Sequence, residues 1–159
     1  MIQDVDLKHL ERCIELAKNA LEAGDEPFGS ILVNSNGEIL AEEQNRVSGG
    51  DHTQHPEFAL ARWAAQNMSL EERGSATVYT SGEHCPMCAA AHGWVGLGRI
   101  VYASTSKQLA QWLNEMGITS TSRVRNLSIH EVIQDTIIDG PVPALAEQVH
   151  QLHLQFHKK

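Results

Sequence analysis

Two short clusters hold residue types able to do chemistry: His55-Pro56-Glu57 and His84-Cys85-Pro86-Met87-Cys88. A Cys-x-x-Cys pair by itself fits a redox couple, half of a structural metal site or coincidence. Joined to His-x-Glu, it supplies one imidazole and two thiolates, the three protein ligands of a tetrahedral zinc whose fourth position takes water. Pro56 and Pro86 suit the first turn of a helix, and the partial positive charge of a helix start favours thiolates. Zinc brings the pKa of its water from about 15.7 to about 7. Glu57, two residues past His55, reaches that water without binding the metal and serves as general acid and base. Two rival readings use the same residues. A closed structural site would need a fourth ligand, with His84, His52 and His92 as local candidates. A thioredoxin-like redox pair would leave His-x-Glu without a purpose.

The surrounding pattern predicts the elements that position these clusters. Leu7, Leu10, Ile14, Leu16, Ala17 and Leu21 recur at helical spacing within residues 4 to 23, and Gly24 offers a C-cap. Ile31 to Val33 and Ile39 to Ala41, separated by Asn34-Ser35-Asn36-Gly37, predict a β-hairpin. Residues 45 to 54 read as a loop, Pro56 to Met68 as a helix, Thr77 to Thr80 as a strand and Pro86 to about Trp94 as a helix. Ile100 to Ala103 then predicts a strand, Lys107 to Met116 a helix, Ser128 to Val132 a last short strand, and Pro141 to His153 a closing helix. This order predicts an α/β chain, a three-layer α/β/α arrangement on a mixed sheet of about five strands, with residues 1 to 159 as one domain. Ligand sites in such sheets gather where strands run into helices.

Composition narrows the partners. The net charge is −8 with histidine neutral, and the longest basic cluster is Arg123-Val124-Arg125, whereas nucleic-acid affinity depends on neutralising phosphates. A small, uncharged or weakly charged substrate is expected, and nucleic acid is not. The most apolar stretch, Cys85 to Leu97, is interrupted by Pro86, His92, Gly93 and Gly96 and is too short to cross a bilayer. No secretory leader is visible after Met1, so a cytoplasmic location is expected. Cys13, within a helical pattern, reads as a small buried hydrophobe.

With these motifs in place, the chain resembles the cytidine deaminase-like superfamily, and within it the bacterial branch of guanine deaminases and tRNA adenosine deaminases. The resemblance covers roughly residues 5 to 105. It rests on Glu26-Pro27-Phe28-Gly29, Asn45-Arg46-Val47, His55-Pro56-Glu57, and Thr80-Ser81-Gly82-Glu83-His84-Cys85-Pro86-Met87-Cys88. It implies a cytidine deaminase-like fold, zinc on His55, Cys85 and Cys88, and Glu57 as the catalytic proton carrier to a ring nitrogen and to departing ammonia. It also implies Asn45 as a hydrogen-bond partner of the substrate ring, Phe28 and Trp94 as residues that line or brace the pocket, and backbone contacts near Ala59 and Ser81. Pro56 replaces the family's alanine, which the first helical turn tolerates. His84 replaces a proline next to the metal and is expected to reshape the pocket or bond the substrate. Glu115 falls near a substrate-reading acid of guanine deaminases, while His130, His150, His153 and His157 read as surface histidines without a role.

The resemblance implies a hydrolase of C–N bonds acting on a nucleobase-like small molecule: guanine or a related aminopurine, triazine or pterin. Cytosine or cytidine, and adenosine in tRNA, are the alternatives within the family, and a zinc-bearing scaffold without activity is the alternative outside it. The family implies a homodimer, with Ala89-Ala90-Ala91 as a candidate interface.

Overall fold

The computed structural model describes residues 1–158; Lys159, one of the two tail lysines, lies outside the described residues. The chain begins with α1 (Asp4–Glu22), followed by a hairpin of β1 (Gly29–Val33) and β2 (Ile39–Gln44). Next come α2 (Pro56–Asn67), a short α3 (Leu70–Gly74), β3 (Thr77–Gly82), α4 (Pro86–Val95) and β4 (Arg99–Ser104). The chain closes with α5 (Ser106–Glu115), α6 (Ile129–Val132), β5 (Ile138–Asp139) and α7 (Pro143–His157). The five strands form one mixed sheet in the order β2-β1-β3-β4-β5. β1 is antiparallel to both of its neighbours, while β3, β4 and β5 run parallel.

Period-two alternation sends each central strand to two cores. Ile31, Val33, Tyr79, Val101 and Ala103 pack on one face against α1, Trp112 of α5 and Leu145, Val149 and Leu152 of α7. Leu32 and Val78 pack on the other face with Leu60, Ala61 and Ala64 of α2, and Ile100 and Tyr102 pack with Ala89 and Ile129. Both faces are covered, giving the expected three layers. The approach of α1 to the sheet is close: a side chain at Gly29 would meet the Cys13 carbonyl and come within 2.6 Å of Leu16 Cβ and 2.7 Å of Ala17 N. Among the described residues no helix is long and apolar enough to cross a membrane.

Two elements differ from the sequence expectation. Residues 128 to 132 form the helical turn α6 instead of a strand, because Ser128 and Glu131 make a capping box. Ser128 N donates to Glu131 Oε1 at 2.9 Å and Ile129 N to Glu83 Oε2 at 2.7 Å, which removes these donors from any ladder. The edge strand is instead Ile138–Asp139, paired with β4. The closing helix runs to His157, four residues past the expected end, with Phe156 packed against the α1 side of the core.

Candidate functional site

The two motif clusters meet where β3 runs into α4, beside the first turn of α2. His55 is the N-cap of α2 and Cys85 the N-cap of α4, each followed by proline at a position that has no hydrogen bond to lose. Cys88 sits one turn into α4 and faces back to the same point. Cys85 Sγ lies 3.4 Å and Cys88 Sγ 3.6 Å from His55 Nδ1, and the two sulfurs are 3.5 Å apart. A tetrahedral zinc with ordinary bond lengths spaces sulfur and nitrogen ligands by about 3.6 Å and two sulfurs by about 3.8 Å. The donor set therefore matches zinc in type and in spacing. No fourth His, Cys, Asp or Glu among the described residues joins these three, as an open site requires.

The charges of the group are coupled. The contacts with Cys88 and with His55 hold the Cys85 thiol at about 4, well below its usual range, so it is a thiolate at neutral pH. The same contact with Cys85 pushes Cys88 up, and the contact with Cys85 pushes His55 up. A cation binding here displaces the protons these groups share.

Glu57 occupies the first turn of α2 and is buried. Its pKa is pushed up to about 7, chiefly by burial and then by the charge of Cys85, while the Ser30 hydroxyl opposes the rise. Ser30 Oγ lies 3.0 Å from Glu57 Oε1 and 2.8 Å from Thr80 Oγ1, so strands β1 and β3 aim the carboxyl. A carboxyl with a pKa near neutrality is suited to taking up and giving back a proton at pH 7.

A cavity of about 240 Å³ opens onto this group. It is lined by His55, Glu57 and Cys85 on one wall and by Thr105, Ser106, Leu109 and His153 on another, with Phe28 and Asn45 between them. Asn45 is buried; its Oδ1 accepts the Val47 N–H at 3.0 Å, and the amide nitrogen has no hydrogen bond among the described residues. The structure thus brings His55, Glu57, Cys85, Asn45 and Phe28 to one cavity, with Cys88 beneath it.

Three expected substrate residues are elsewhere. His84 is buried but turned from the cavity toward His92, ring centroids 5.4 Å apart, and neither of its ring nitrogens has a partner. Cys85 faces the metal position, and in the extended backbone before α4 its predecessor falls on the opposite side. Neither His84 nor His92 completes a closed site. Trp94 lies at the far end of α4 and is 89% exposed, so it neither lines nor braces the pocket. Glu115 is the last residue of α5 and exposed; the first turn of that helix faces the cavity instead. Ser81 serves the framework, its Oγ accepting the Gly29 N–H at 3.1 Å, and Ala59 lies outside this cavity.

Sequence reasoning missed two residues of the second wall. His153, expected on the surface, is 2% exposed and lines the cavity. Glu83 lines it as well, and its carboxylate accepts Ser106 N at 3.2 Å, Ser106 Oγ at 2.9 Å and Ile129 N at 2.7 Å. It thereby ties the starts of α5 and α6 to the metal loop. Its place two residues before Cys85 was the available signal.

The zinc-binding region of cytidine and deoxycytidylate deaminases matches residues 3–104. A probable cytosine deaminase of Schizosaccharomyces pombe is 32% identical over 117 residues, covering 73% of this chain and 70% of that protein. The guanine deaminase of Bacillus subtilis is 35% identical over 104 residues, covering 64% of this chain and 66% of its own length. A solved structure of guanine deaminase from Bacillus subtilis superposes with a TM-score of 0.59 at 27% identity, covering 86% of this chain and 87% of that one. By its matched region, its fold and its three-donor metal group, this chain belongs to the cytidine and deoxycytidylate deaminase zinc-binding family.

Proposed function

We infer that this protein is a hydrolytic deaminase of a free nucleobase, guanine or a related aminopurine, triazine or pterin, with His55, Cys85 and Cys88 as zinc ligands and Glu57 as proton carrier. The observation that carries this reading is the buried carboxyl of Glu57 beside a three-donor group at the floor of a small cavity. Zinc held there supplies the Lewis acidity that makes water a nucleophile at neutral pH. Glu57 takes a proton from the attacking water and delivers it to a ring nitrogen. The water oxygen bonds to the ring carbon that bears the amine. Glu57 then takes the second proton from the resulting hydroxyl and passes it to the amine, and as the C–N bond breaks the amine departs as ammonia and the oxygen becomes the ring's oxo group. Ser30 holds Glu57 Oε1 in line, the free Asn45 amide donates to the ring, and Phe28 covers its face.

Cavity size and lining favour a free base. About 240 Å³ is below the roughly 300–1,000 Å³ of sites for drug-sized ligands, and no Lys or Arg lines it to meet a phosphate. The same lack speaks against a nucleotide or a tRNA loop. Cytosine is a second reading, favoured by the Schizosaccharomyces pombe relative. Of the expected interface Ala89-Ala90-Ala91, Ala89 is buried in the core and faces no partner; the exposed Trp94 on the same helix as Ala90 and Ala91 supports pairing of two copies there instead.

The test is ammonia release from guanine and cytosine by zinc-loaded protein, wild type against Glu57→Gln. The variant is expected to lose about 10²- to 10⁴-fold in kcat, the usual contribution of general acid–base catalysis, with zinc content and Tm retained. Wild-type turnover of neither base, or full turnover by the variant, contradicts the reading.

A further inference from the structure

The family match ends at residue 104, yet the cavity does not. Its outer wall is closed by α7, which packs on α1, β3 and β4. Most residues that α7 turns inward are apolar: Leu145, Ala146, Val149 and Leu152. His153 is the exception. It is 2% exposed, and it borders the cavity. Its ring meets Phe28 edge-on at 5.1 Å and Trp112 at 6.1 Å, so two aromatic neighbours fix its orientation.

Among the described residues, nothing uses its hydrogen-bonding capacity. Neither ring nitrogen of His153 makes a hydrogen bond among the described residues, and neither is among the side-chain nitrogens sealed off without a partner, so both keep open surface for a ligand or water to meet. Two other polar groups of the cavity are committed within the protein, Glu83 to Ser106 and Ile129 and Asn45 Oδ1 to Val47, so neither is the partner of His153. His150, one turn earlier on α7, stacks flat on Trp112 at 4.5 Å and is absent from the cavity lining.

We propose that His153 is a substrate-binding residue whose imidazole hydrogen-bonds a polar edge of an uncharged heterocyclic base, an edge other than the one presented to Glu57. This rests on the deaminase reading above and adds a specificity residue outside the matched region. Burial pushes the pKa of His153 down to about 3, so at neutral pH the ring offers one donor and one acceptor and no charge. It therefore suits a ring N–H, ring nitrogen or oxo group, and gives no attraction to phosphate. A site built to pair such an edge rejects rings that lack it, because its own buried group is then stranded.

The experiment combines kinetics with a binding readout on zinc-loaded, full-length protein. His153→Phe keeps the ring packing on Phe28 and Trp112 but removes both nitrogens; His153→Gln keeps a donor and an acceptor. With whichever of guanine and cytosine the wild type deaminates, His153→Phe is expected to lose about 10- to 100-fold in kcat/KM, the weight of one buried hydrogen bond. The loss should fall mainly on KM, with zinc content and Tm unchanged, and His153→Gln should recover part of it. In parallel, 8-azaguanine and cytosine are added to protein labelled with ¹⁵N in its histidine rings, and at least one is expected to shift the His153 ring signals. A His153→Phe protein within twofold of wild type, or His153 signals unmoved by both bases, overturns the proposal. Shifted signals without any turnover would sustain His153 as a base-binding residue while the deaminase reading fails.

Discussion

The two walls of the cavity are built by opposite means. The motif wall takes His55, Glu57, Cys85 and Cys88 from two helix starts, where a few residues of local sequence fix every donor. The outer wall takes Ser106, Leu109 and His153 from helices that reach the cavity only through tertiary packing. The first wall is dictated by spacing; the second depends on how α5 and α7 settle on the sheet. On the proposed function, chemistry belongs to the locally determined wall and part of the recognition to the one that packing can vary.

Breaking the motif wall should have the largest effect. Cys88→Ser removes a thiolate and is expected to abolish both zinc retention and turnover, since two remaining ligands cannot form the open three-ligand site. Metal analysis of purified protein alongside ammonia release checks this, and a variant that keeps a full equivalent of zinc would show that the wall is assembled differently.

Loosening the outer wall should cost less and leave the metal in place. Glu83→Gln weakens three bonds that tether the starts of α5 and α6. It is expected to destabilise the fold by about 1.5–3 kcal/mol, the range for hydrogen bonds to a charged group, and to raise KM more than it lowers kcat. Urea unfolding and steady-state kinetics separate the two effects. Loss of zinc from this variant would mean that the walls are not independent.

A still smaller effect belongs to a cluster remote from both walls. Burial alone would raise the pKa of Asp6, but bonds from Arg99 at 3.0 Å and 3.1 Å and from Tyr79 at 2.6 Å outweigh it and hold the carboxyl at about 2. A depressed folded-state pKa adds stability above the ordinary aspartate value and loses it as pH falls toward about 2. The stability difference between wild type and Arg99→Gln should therefore shrink as pH falls from about 4 to about 2. A difference that stays constant across that window would show that the Asp6 carboxylate does not stabilise the fold through Arg99.

The same contrast explains what was legible in the sequence. Periodicity and turn residues located the hairpin, the helices α1, α2, α4 and α5 and the strands β3 and β4, because each is specified within its own segment. The metal donors were legible because His-x-Glu and Cys-x-x-Cys each lie within one helical turn. His84 was misassigned because adjacency in sequence says nothing about which side of an extended backbone a residue takes. Trp94 and Glu115 were misassigned because each sits at the C-terminal end of a helix whose first turn faces the site. His153 was missed because a histidine near the end of a polar-looking tail is buried only by the sheet beneath it. Residues 128 to 132 carried β-branched residues, and a capping box overrode them.

On the proposed function, a metal is held by three side chains with Glu57 beside it. X-ray absorption spectroscopy on the zinc-loaded protein reads the coordination shell directly. One zinc with two sulfur ligands, one imidazole nitrogen and one light, non-protein oxygen is expected. A shell of four protein ligands, with a second imidazole in place of that oxygen, would contradict it.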